Sequence, residues 1–307
     1  MKTMKWLGAL AMMVCALSIT SCGNDDGGSS NNGGNTNSNN NGGSNNVNDN
    51  GGGNTSGLFQ GPQRVFGNHR IKKIKEYSSL DDQVADVFEF TYNTSGFVSE
   101  IKVYDNEVFV GSTRISYDNG LSAVSYDKNG NSKGRVEFPL GANGFVSYYQ
   151  IIDDKGHNEY AKFTYNNDGQ LQTLTWGEEG ETTPSDDVWT LTYSDGDITK
   201  CTSGDGTTEY FYSTANQNPI DNVTGFMEFD KAMDIDMDDV WVLYLCGGMG
   251  KGTKHLPLTA ITKDGNDTET ITNEWILDNQ NRPVKLISTS SHSLYGSTSA
   301  RYYTIEW

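Results

Sequence analysis

The chain has 307 residues, 22 basic against 40 acidic, for a net charge of −18 and a mean hydropathy of −0.60. A surface this acidic repels phosphate backbones and anionic headgroups, which argues against nucleic acid and against direct adhesion to a lipid surface. Six prolines and 35 glycines spread over this length suit a β-rich domain in which turns are common and strands are seldom interrupted.

Residues 1–21 carry Lys2 and Lys5, an apolar stretch of h-region length and small residues before Cys22. They read as a cleaved signal peptide rather than a membrane span. Ile19-Thr20-Ser21-Cys22 resembles a lipobox, which makes Cys22 the expected acylated N-terminus of the mature protein. Gly23-Asn24-Asp25-Asp26 is similar to the acidic export signal of Bacteroides-type surface lipoproteins. Without the signal, 20 basic residues face 40 acidic ones.

Residues 22–57 form a tether. From Gly27 to Gly57, all but four of 31 residues are Gly, Asn or Ser, a composition with no apolar surface to offset the entropy of ordering. As a Gly-rich coil it spans on the order of 30 Å.

Residues 58–307 are expected to fold as one β domain. Phe163 to Trp176, FTYNNDGQLQTLTW, reads as a complete hairpin: an alternating strand, an Asx turn closed by Gly169 in positive φ, and a returning strand. The unit recurs at Phe90, Ile115, Val136 and Leu191. Its turn glycines Gly96, Gly120, Gly144, Gly169 and Gly196 are spaced by 24, 24, 25 and 27 residues, one hairpin per repeat. In weaker copies Asn218 and Asn281 replace the glycine, as the left-handed tolerance of Asn allows.

After each turn, large residues fall at positions 0, +3 and +5: Val98, Ile101, Val103; Leu121, Val124, Tyr126; Val146, Tyr149, Ile151; Leu171, Leu174, Trp176. A plain strand keeps one face at 0, +2 and +4, so the pattern predicts a bulge at the same place in every repeat. A dozen or more coiled strands should curl into a barrel or half-barrel. The predicted fold is therefore an all-β antiparallel meander of hairpins, with repeats over 86–223, an apolar helix insertion over 234–250 packed inside, and closing strands over 258–307. Lys72, Lys73 and Lys75 are expected to guard the first strand as an edge. Cys201 reads as a small core residue, with an oxidised Cys201–Cys246 pair left open.

Asp234, Asp236, Asp238 and Asp239 resemble the start of a calcium loop, but the sixth position has no glycine and Leu245 stands at the glutamate position. A helix from Met237 to Cys246 is favoured, with Asp236 as N-cap, Gly247-Gly248 at its C-terminus, and Trp241 and Leu245 on its most buried side. Gly250-Lys251-Gly252-Thr253 fails the spacing of a phosphate loop.

The lipobox, the Gly/Asn/Ser tether, the Tyr-Asx-Gly hairpins, GKGTKHLP at Gly250–Pro257 and the terminal WxLDxxNRPVK copy together resemble a Bacteroides-type surface lipoprotein family of unknown function with a porin-like fold. The resemblance implies a shape and an outer-membrane, lipid-anchored, surface-exposed location. It implies no catalytic residue and no cofactor.

Three functions compete. The first is a non-enzymatic binding module for a glycan, peptide or partner protein, touching the membrane only through its anchor, with Trp176 and Trp189 as stacking candidates. The second is a carboxylate-dependent glycoside hydrolase; no G-x-S-x-G elbow exists, and His69, His157, His255 and His292 lack metal-ligand spacing. The third is an integral outer-membrane barrel, suggested by the alternating Tyr303, Ile305 and Trp307.

Overall fold

The computed structural model describes residues 69–307 except 84, 119, 153–157, 179–186, 205, 213–240 and 295, and leaves the side chains of 151, 152, 158, 159, 178, 187, 241 and 242 undescribed. Cys22, Asp25, Asp26, the tether, His157, Asn218 and Asp234 to Asp239 lie outside the described residues, as does the side chain of Trp241.

Sixteen strands make one antiparallel sheet. They are β1 (Lys73–Tyr77), β2 (Asp86–Tyr92), β3 (Val98–Asp105), β4 (Val108–Ser116), β5 (Leu121–Asp127), β6 (Ser132–Phe138), β7 (Tyr148–Ile152), β8 (Asn158–Tyr165), β9 (Leu171–Glu178), β10 (Asp187–Ser194), β11 (Asp197–Thr202), β12 (Thr207–Tyr212), β13 (Pro257–Asp264), β14 (Asp267–Leu277), β15 (Pro283–His292) and β16 (Thr298–Glu306). Each strand pairs with the next in sequence except β6 with β7, and β1 also pairs with β16 from Lys73↔Glu306 to Tyr77↔Tyr302. The sheet therefore curls into a nearly closed barrel, as its strand number requires.

The edges of the sheet are β6 and β7, and the connection between them carries one isolated bridge, Leu140↔Val146. This corrects the expectation for the lysine run. β1 has a partner on each side, so Lys73 and Lys75 guard no edge and instead pair outward with Glu89 and Glu107.

The repeat geometry matches the hairpin reading. Gly96, Gly120, Gly144, Gly169 and Gly196 all have positive φ, and Asn281 takes φ 59° in the last copy. Register shifts at Thr91/Tyr92, Thr164/Tyr165, Thr192/Tyr193 and Ile276/Leu277 leave Ser99, Gln172, Thr199 and Val284 as bulged residues, one after each strand start. Val98, Ile101 and Val103, and likewise Leu171 and Leu174, are buried on one face as the odd step demands.

The second repeat departs from that pattern. β5 runs in continuous register against β4, the strand across its Gly turn, from Gly111↔Asp127 to Ser116↔Ser122, with no shift after its start. Ala123 and Ser125 are therefore the buried residues. Val124 and Tyr126 alternate away from them, with the Arg114 guanidinium 4.6 Å from the Tyr126 ring.

Inside the barrel lies a short helix, α1 (Trp241–Leu245). Its end is a Schellman cap: the N–H of Gly248 donates to the carbonyl of Leu243 (2.7 Å) and that of Gly247 to Tyr244 (2.9 Å), with Gly247 at φ 71°. Leu243, Tyr244, Leu245, Cys246 and Met249 are buried in one cluster with inward residues from around the sheet. The chain then leaves along the hairpin turns of one barrel end. Gly248 accepts from the Val146 N–H (2.8 Å), and the N–H groups of Lys251 and Lys254 donate to Gly169 (2.8 Å) and Gly196 (3.0 Å). This plug closes the end of the barrel that carries the Gly turns. Cys201 and Cys246 are both buried as free thiols.

Candidate functional site

The plugged end is knitted by polar groups. Asp197, at the start of β11, accepts from the backbone N–H of His255 (2.6 Å) and from the Thr253 hydroxyl (3.1 Å), and its second oxygen lies 2.6 Å from His255 Nδ1. Gln170 donates to the carbonyl of Gly196 (2.9 Å) and, at 3.4 Å, to that of Gly252. Within GKGTKHLP the threonine and histidine thus hold the plug against the turns.

The opposite end has a cavity of about 310 Å³. Six consecutive strands build it: Trp189 from β10, Cys201 and Ser203 from β11 and the turn after it, Thr208 from β12, Thr262 and Asp264 from β13, Asp267 and Glu269 from β14, and His292 from β15. The strand pattern fixes these side chains inward. Trp189 is paired with Leu174, and Thr208 stands opposite Thr262 with their hydroxyls 2.8 Å apart. Asp264 and Asp267 face each other across the tight turn between β13 and β14.

His292 joins two carboxylates. Its Nδ1 lies 3.5 Å from Asp267 and its Nε2 3.4 Å from Glu269, which also accepts from the Ser290 hydroxyl. Burial works to raise the pKa of Asp267, but the N–H of Leu294, the Ser293 hydroxyl and the N–H of Thr268 hold it below the ordinary carboxylate value. Among the described residues no group of three or more His, Cys, Asp or Glu side chains is placed to hold a metal ion. The arrangement offers an aromatic wall and an acceptor-rich rim, suited to a small polar ligand.

Of the residues singled out in the sequence, Trp189, Cys201 and His292 come together here. Trp176 packs, half-buried, against the core and does not line the cavity. His255 belongs to the plug, and His69 sits edge-on to Trp307, ring centroids 5.9 Å apart. Tyr303 and Ile305 are buried facing the interior, so the alternating C-terminus presents no aromatic row to lipid. Sequence reasoning missed Asp264, Asp267, Glu269, Thr208 and Thr262. Their one signal was alternation within strands whose inward face depended on the barrel closing.

The outer face of the barrel is polar. Lys75, Glu89, Lys102, Arg114, Lys162 and Glu209 alternate with buried neighbours in mid-strand, and Glu89 pairs with Lys73 at 2.9 Å and Arg114 with Glu100 at 3.2 Å.

No protein-family model matches the chain, and no curated protein matches it. The solved structures similar to it include two porin-like proteins. A porin-like protein from Bacteroides uniformis is 16% identical with a TM-score of 0.58, the match covering 77% of this chain and 97% of that one. A porin-like protein from Bacteroides vulgatus is 13% identical with a TM-score of 0.51, covering 77% and 98%. The chain shares their barrel fold; at these identities the likeness is one of fold alone.

Proposed function

We propose that this chain is a non-enzymatic glycan-binding module, held at the outer membrane by an acyl group on Cys22 and displayed on the cell surface, with its ligand entering the barrel end opposite the plug. The observation that carries this reading is the cavity at that end, where Trp189 supplies a stacking face and Asp264, Asp267 and Glu269 supply acceptors. The charged outer face supports a barrel standing in water, because a transmembrane barrel carries the reverse pattern, apolar outside and polar within.

His292 between Asp267 and Glu269 favours one second reading, a hydrolase using these carboxylates for acid and base work. A glycan panel scored for both binding and cleavage separates the two. Binding without turnover, lost in Trp189→Ala, is expected; turnover lost in Glu269→Gln would replace the binding reading with the hydrolase. For the anchor, Cys22→Ser should release the protein from the membrane fraction, and replacing Asp25 and Asp26 should leave it lipidated but protected from protease added to intact cells. Full protection of the wild type in that assay would refute surface display.

A further inference from the structure

We propose that the mouth cavity selects a ligand group carrying a primary ammonium, such as the amine of an amino sugar, over its neutral or N-acylated counterpart. This rests on the mouth being a glycan-binding site, and it names the chemical class that site takes.

At about 310 Å³ the cavity lies at the small end of ligand sites, room for one sugar ring. A neutral sugar needs both donors and acceptors from its site, because each hydroxyl is both. The wall is poor in donors. The Thr208 and Thr262 hydroxyls bond to each other, and each ring nitrogen of His292 faces a carboxylate. Among the described residues no Lys or Arg lines the cavity, and the further side-chain donors are the Ser203 hydroxyl and the Trp189 indole N–H.

Acceptors, by contrast, are plentiful. The polar contacts of Glu269 fall on Oε1, and Asp264 stands exposed at the tip of its hairpin. An ammonium brings three donors and no acceptor, which fits such a wall. Trp189 adds the second element, since an indole face attracts a cation through its quadrupole. A carboxylated or sulfated sugar would meet only repulsion.

The test is calorimetric titration of the full-length protein, solubilised in detergent, with glucosamine, glucose and N-acetylglucosamine below the pKa of the amine. Glucosamine should bind at least about tenfold more tightly than the other two, and its affinity should fall as salt is raised. Asp264→Asn, a change at an exposed turn that removes the charge and keeps one acceptor oxygen, should weaken glucosamine about tenfold and glucose by a much smaller factor. Equal binding of all three sugars, dependent on Trp189, would overturn the ammonium inference and leave the binding site standing. Glucosamine binding indifferent to both Trp189→Ala and Asp264→Asn would place the amine elsewhere and overturn it too. Absence of any Trp189-dependent ligand across the wider glycan panel would remove the underlying reading as well.

Discussion

The hydroxyl of Tyr193, at the end of β10, donates to the carbonyl of Leu171, the first residue of β9, at 2.6 Å. The same bond recurs around the barrel: Tyr92 to Ile71 (2.7 Å), Tyr117 to Val98 (3.0 Å), Tyr165 to Val146 (2.7 Å) and Tyr212 to Ile198 (2.8 Å). In the last two copies an indole N–H takes the role, Trp275 to Pro257 (2.8 Å) and Trp307 to Pro283 (2.7 Å). A bulge beside a strand start interrupts the ladder there, and the aromatic donor of the adjacent strand satisfies the carbonyl. Tyr193→Phe keeps the packing and removes the donor, so it should cost about 1 to 2 kcal/mol in urea unfolding.

These tyrosines also set an alkaline limit. Burial first, with neighbouring phenols adding to it, raises the pKa of Tyr193; burial likewise raises Tyr92, Tyr117, Tyr165 and Tyr212. A raised pKa means the folded state resists losing the proton, so the stabilisation is complete below the unfolded tyrosine value near 10 and is lost as pH climbs beyond it. Stability should be insensitive to these groups at neutral pH and fall steeply above about pH 10. Tyrosinate absorbance should rise together with unfolding rather than before it.

Close approach distinguishes two glycines. A Cβ on Gly250 would meet the carbonyl oxygen of Gly169 at 2.3 Å with φ at +75°, whereas one on Gly120 would meet nothing within 4 Å. Gly250→Ala should therefore cost about 3 kcal/mol or more by pushing the plug off its turn, and Gly120→Ala about 1 kcal/mol from its backbone conformation alone. Equal costs in thermal unfolding would mean that the plug yields easily.

The plug should behave as core. Leu243 is 1% exposed and Leu294 is 59% exposed. Leu243→Ala should cost about 2 to 5 kcal/mol, and Leu294→Ala less than about 0.5 kcal/mol. A loss below about 1 kcal/mol for Leu243→Ala would place α1 outside the stable core.

Thiol chemistry gives an independent check on burial. Burial pushes the Cys246 thiol up to about 12, although a contact with Tyr117 works the other way. Cys201 is equally enclosed. Neither should react with a water-soluble thiol reagent in the native protein, and both should react in denaturant. Rapid native labelling of either would contradict the packing.

The hairpins were legible because each is local: Asx-Gly spacing and the 0, +3, +5 step report a turn and a bulge within a dozen residues, and they located the bulges after Val98, Leu171 and Ile198 correctly. The step misled at Leu121, where Val124 and Tyr126 look as apolar as Ile101 and Val103 but face outward, because β5 pairs with β4 without a bulge, a register that depends on both strands and not on β5 alone. The lysine run misled for a similar reason: that β1 pairs with β16 depends on residues more than 200 positions away. The cavity was least legible, since its six strands meet only when the sheet curls. Asp264 and Asp267 looked like ordinary turn aspartates.

The contact of His69 with Trp307, beside the β1 to β16 ladder, has a consequence for how the protein could be rebuilt. The two ends of the described chain meet, while the weakest join in the wall falls mid-sequence at the turn holding Gly141 and Gly144. A circular permutant that links Trp307 to His69 through a short Gly/Ser bridge and opens the chain in that turn would keep every strand pairing. Such a molecule should fold to the same barrel, with its new termini at the β6–β7 gap.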